Sequence, residues 1–169
     1  MKLKLKELAV FAVLGAFMFI SKQVMEALPN IHLLGTLIVA YTVVFRHKAL
    51  YPIYVFVFLQ GLLSGFATWW IPYIYIWAVL WGATMLLPKG MKPAVAAVVY
   101  PIVSALHGLL YGTLYAPAQA LLFGLDFEGM ITWIIAGIPA DVTHCLGNLV
   151  CGLLIIPIIS ALKAAQKRL

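Results

Sequence analysis

The chain has 169 residues, 65% of them hydrophobic and 9% charged, with a net charge of +6. No soluble domain of this size can bury so much apolar side chain, which excludes a water-soluble globule and predicts an integral membrane protein. An outer-membrane barrel is excluded as well, because its ~10-residue alternating strands and polar turns are missing.

The N-terminus carries Lys2, Lys4 and Lys6 ahead of a first apolar stretch over 8–28. A cleaved signal peptide would need a small-residue cleavage site, and this stretch instead carries Lys22, Gln23 and Glu26, so it is expected to be the first membrane helix. On its basic side, Ala9, Ala12 and Ala16 fall at i, i+3 and i+7 beside Gly15. Such a stripe of small residues lets two helices approach closely, within one bundle or between subunits.

Further apolar segments follow at 33–45, 49–66, 71–87, 94–116 and 131–162. All but that at 33–45 approach or exceed the ~20 residues a helix needs to cross a bilayer. The prediction is an all-α membrane protein: one domain over 1–169, six spans, the second short. Between spans, the connections 29–32 (PNIH), 66–73 (FATWWIPY) and 117–130 (PAQALLFGLDFEGM) are expected to be loops at one end. Long loops at a cavity mouth often close over a ligand.

Six spans bring Lys2, Lys4, Lys6, Arg46, Lys48, Lys89, Lys92, Lys163, Lys167 and Arg168 to one side, with both termini. The positive-inside rule makes that side cytoplasmic. It also gives the basic residues a simpler role than nucleic-acid binding, since they sit in short tethers between apolar helices. The opposite side carries Glu26, Asp126 and Glu128.

The last segment places polar groups in an apolar run. Asp141, His144 and Asn148 are spaced i, i+3, i+7, which confines them to a ~60° arc of one helix, with Gly137 and Gly152 extending that face. An aspartate at mid-membrane costs ~2.5–3.5 kcal/mol on insertion scales, so it must face a bundle interior or a hydrated cavity. Two roles fit the trio: a hydrogen-bond clamp between helices, or the polar wall of a binding site. Gln60 and His107 lie, like the trio, at or outside the midplane, which predicts a pocket open to the exterior and closed below by hydrocarbon. A channel would need polar lining through both halves.

Aromatic residues gather at 69–81. Trp69, Trp70, Tyr73, Trp77 and their neighbours fit an interfacial belt, but the other outer helix ends are poor in tryptophan, which favours a stacking wall for a planar ring. Cys145 and Cys151 lie on one helix and point different ways, so neither a disulfide nor a zinc site is expected, and no cofactor is.

A small six-helix chain with a basic N-terminus, the Ala12-x-x-x-Ala16 stripe, an aromatic outer loop and a polar sixth helix bearing Asn148 resembles the substrate-binding S components of energy-coupling factor transporters. The likeness covers nearly the whole chain and rests on architecture and weak motifs. It implies high-affinity capture of a small heterocyclic micronutrient outside a prokaryotic plasma membrane. It also implies docking through Ala12 and Ala16, extended by Ala9, onto a transmembrane coupling subunit driven by two cytoplasmic ATPases. Asn148 matches the placement of ligand-contacting groups in that family; Asp141 and His144 are carried over less directly. The chain has no Walker A sequence, so ATP hydrolysis would belong to partners.

Two rival functions fit less well. A proton-coupled secondary carrier would use Asp and His in membrane helices, but the inner half lacks acidic groups to complete a relay. An intramembrane hydrolase would draw on Ser104 near His107 or on Cys145 beside His144, the latter pair adjacent on the helix and so ~100° apart, a poor nucleophile–base geometry, and no enzyme is expected.

Overall fold

The computed structural model of the chain describes residues 4–167; Lys2 and Arg168 of the charge count lie outside them. Among the described residues there are eight α-helices and no strand: α1 (Leu5–Val24), α2 (Leu34–Phe45), α3 (Leu50–Ser64), α4 (Tyr73–Met85), α5 (Pro93–Leu109), α6 (Tyr111–Phe123), α7 (Phe127–Gly152) and α8 (Ile155–Gln166). Short 3-10 turns join α2 to α3 and precede α4. Four stretches are long and apolar enough to cross a membrane: Leu5–Val24, Leu34–Ser64, Pro93–Phe123 and Phe127–Gly152.

The surface is that of a membrane-embedded protein. Val13, Ile20, Leu121 and Val150 are each more than half exposed, while Thr36, Ser104, His144 and Asn148 are buried. A chain in water would reverse that distribution. At the centre stands α2, buried on every side from Leu34 to Thr42, as expected of a helix apolar all round. It packs with Met18, Ile53, Phe56, Ile76, Trp77 and Leu80 into one apolar core.

On α1, Phe11, Gly15 and Met18 are buried, and α3 packs so closely there that a Cβ on Gly15 would lie 2.5 Å from Val55 and 2.8 Å from the Pro52 carbonyl. The alanine stripe points elsewhere. Ala9 and Ala12 are exposed and Ala16 is half-buried, roughly a third of a turn from the α3 contact by helix geometry.

Three predicted segments differ from the structure. The expected loop 117–130 is largely helix: α6 runs to Phe123 with Pro117 inside it. Proline is tolerated in membrane helices where neighbours re-satisfy the freed carbonyl, and the surrounding alanines and leucines are good helix formers. Gly124, with φ 67°, ends α6 in the left-handed conformation that suits glycine, and Asp126 caps α7 by accepting from Gly129 N at 2.7 Å.

The expected single helix over 131–162 is two. Leu153 N bonds to Val150 O and Leu154 N to Cys151 O, tightening the end of α7. Pro157 cannot donate to Leu153 O four residues back, and its ring crowds that carbonyl. The predicted helix over 94–116 likewise breaks at Leu110.

Candidate functional site

That break at Leu110 begins the site. A continuous helix would give the Gly112 N–H to Gly108 O; instead both carboxylate oxygens of Asp141 accept it, at 3.0 and 3.1 Å. Asp141 therefore caps α6 from α7, an anion at a helix N-terminus. Gly112 makes room for it, since a Cβ there would lie 2.5 Å from Asp141 Oδ2. The re-aimed α6 carries Tyr111 and Tyr115 toward the helix ends that hold the aromatic cluster.

Two adjoining cavities result, sharing Asn30 and Tyr111. The smaller, about 210 Å³, is walled by Tyr73, Tyr111, His32 and His144, with Lys22 and Glu26 at its edge. The larger, about 390 Å³, lies between α6 and α7 and is lined by Trp69, Tyr115, Trp133 and Asp141 among others. Below the first, Trp77 is 1% exposed and touches the rings of Tyr73 (5.4 Å), Tyr111 (5.8 Å), His107 (5.9 Å) and His32 (6.2 Å). His144 packs edge-on against His32 at 4.7 Å and Tyr111 at 4.9 Å. The apolar core around α2 closes the floor.

The polar atoms of this region are only partly used. His144 Nε2, His32 Nδ1, Trp77 Nε1 and His107 Nδ1 are buried without a hydrogen-bond partner among the described residues. Native proteins pair nearly all buried polar groups, so such orphans ask for an explanation. The imidazole of His32, in the 25–33 connection, is held at about 4 by burial and then by the nearby Lys22 charge, so this ring is neutral at pH 7 and offers one donor and one acceptor.

The residues singled out from sequence fall into two groups. His144, Asp141, Trp69 and Tyr73 line one cavity or the other, and Trp77 packs directly beneath. The rest line neither cavity and bond within or between helices. Asn148 donates to Ser104 O at 2.9 Å, joining α7 to α5, and lines neither cavity; its Oδ1 has no partner. The ring of His107 meets Ile76 O at 3.0 Å. Gln60 donates to Ser64 at 2.8 Å, and Trp70 to Val57 O at 2.7 Å.

The sequence places the 29–32 turn at the pocket mouth without singling out His32 or Asn30, and it leaves Tyr111 and Tyr115 unmarked. His32 and Asn30 sit in a short turn with no periodicity to flag them, and the two tyrosines, four apart in LLYGTLY, read as ordinary membrane aromatics. Lys22 forms no ion pair with Glu26 within contact distance among the described residues, although both border the smaller cavity.

No protein-family model matches this chain, and neither does any curated protein or solved structure.

Proposed function

We propose that the chain is the membrane-embedded binding subunit of an uptake system for a small heterocyclic micronutrient. The observation that carries this is the convergence of aromatic rings and unpaired buried polar atoms on one pair of cavities, above a closed apolar core. Stacking on Tyr73 and Tyr111, with Trp77 packed behind them, would hold a planar ring, and His32 and His144 would read its edge by hydrogen bonds. The smaller cavity is below the usual range for drug-sized ligands, which favours a compact molecule or one that extends between Tyr111 and Asn30 into the second space.

In this reading the chain crosses a prokaryotic plasma membrane six times with both termini in the cytoplasm. The cavities then open outward, at the end away from Lys48, Lys89 and Lys163. As in the S components it resembles, the chain would dock by the Ala9, Ala12 and Ala16 stripe on a transmembrane coupling subunit and two cytoplasmic ATPases. The exposure of Ala9 and Ala12 supports that role, because bundle packing does not consume them. A proton-coupled carrier is less well supported: the core beneath the cavities offers no acidic relay, and Asp141 is engaged in capping α6.

Uptake assays in cells carrying the chain separate the two. A binding subunit of an ATP-driven system supports uptake that survives collapse of the membrane potential and stops on ATP depletion. The opposite pattern would establish the carrier.

A further inference from the structure

The basic end of the bundle holds a separate, half-open cavity of about 410 Å³, bounded by the ends of α2 and α4, the 86–92 turn, the first turns of α5, and α8. Among the described residues, Arg46, Lys89 and Lys163 line it, and no acidic side chain does. Like charges gathered around one space repel unless an anion joins them.

Arg46 is fixed in place. It ends α2 with φ 54°, a backbone conformation uncommon outside glycine. Its carbonyl accepts from Trp81 Nε1 at 3.1 Å, and its Nη2 donates to Met85 O at 2.9 Å. Those contacts leave Nε buried without a partner among the described residues. A guanidinium held this way presents a preorganised donor edge of the kind that binds phosphate oxygens. The α5 N-terminus, which begins at Pro93 without a side-chain cap from Lys92, adds a favourable dipole at the same cavity.

We propose that this cavity binds the phosphate of an anionic phospholipid in the leaflet at the basic end. A soluble phosphate shares the headgroup's charge chemistry. The lipid is favoured by the rest of the wall, where Leu87, Met91, Ile156 and Ile159 provide an apolar surface beside the cations that a free ion would not use. Basic pockets between membrane helices at such an end suit lipid headgroups.

The test uses the full chain in nanodiscs and native mass spectrometry, with phosphatidylglycerol titrated against phosphatidylcholine. Phosphatidylglycerol should be retained at least tenfold over phosphatidylcholine, and Lys89→Gln with Lys163→Gln, both at exposed positions, should abolish most of that preference. Lys4→Gln with Lys6→Gln removes equal charge from the same end, outside this cavity, and should keep it. Equal retention of the two lipids, or equal loss in both double variants, overturns the site in favour of diffuse attraction. Stabilisation by inorganic phosphate at millimolar concentration without any phosphatidylglycerol preference overturns the lipid as its occupant.

Discussion

The imidazole of His144 on α7 lies edge-on to that of His32 in the α1–α2 connection, ring centres 4.7 Å apart and planes at 78°. Each ring keeps one buried nitrogen without a partner among the described residues. Removing an unpaired buried polar atom relieves its desolvation cost, about 1–3 kcal/mol. His144→Phe is therefore expected to leave the melting temperature in detergent unchanged or raised, yet weaken ligand binding roughly tenfold or more. Unchanged affinity would remove His144 from the recognition surface.

Asp141 and Gly112 make the converse case. The carboxylate caps α6, so Asp141→Ala should destabilise the protein by about 1–2 kcal/mol, and Gly112→Ala should do so too, because the new Cβ would displace Asp141 Oδ2. Thermal unfolding in one detergent measures both. A neutral Gly112→Ala would mean that the α6 start tolerates a wider gap than this geometry allows.

Two substitutions on α1 should separate packing from docking. Gly15→Leu drives α1 from α3, against Val55 and the Pro52 carbonyl, and is expected to lower stability by about 1–3 kcal/mol or more, as overpacking does. Ala12→Trp faces away from that contact and should spare folding and ligand binding while blocking uptake. Loss of binding and uptake together in Ala12→Trp would assign the stripe to internal packing.

The acid limb of stability should report on His32. Its folded value of about 4 lies below the ordinary 6.5, so as pH falls from 6.5 toward 4 the unfolded chain takes up a proton that the folded chain refuses. Stability contributed at neutral pH is thus lost across that window, and the loss levels off below it. His32→Gln should flatten part of this slope in melting experiments. An unaltered slope would place the pH sensitivity elsewhere.

The sequence made the helical class and the polar arc legible because both follow from periodicity and composition. Asp141, His144 and Asn148 share a face, as their spacing requires, and all three are buried. Periodicity could not divide their labour. Asp141 holds a neighbouring helix start and Asn148 clasps Ser104 O; of the three, only His144 both lines a cavity and keeps a free buried nitrogen. The break at Leu110 was illegible for the same reason: it depends on a carboxylate 29 positions along the chain. Pro117 and Pro157 are alike as letters, yet α6 runs through the first, while α8 starts anew just before the second. What neighbouring helices supply at each site decides between those outcomes.

Native mass spectrometry of the freshly purified protein, wild type beside His144→Phe and Asn148→Ala, bears most directly on the outer chamber. The expected result is a co-purified small molecule on the wild type that is lost or strongly reduced in His144→Phe, and retained by whatever fraction of Asn148→Ala remains folded. A small molecule held equally by wild type and His144→Phe would contradict the chamber described here.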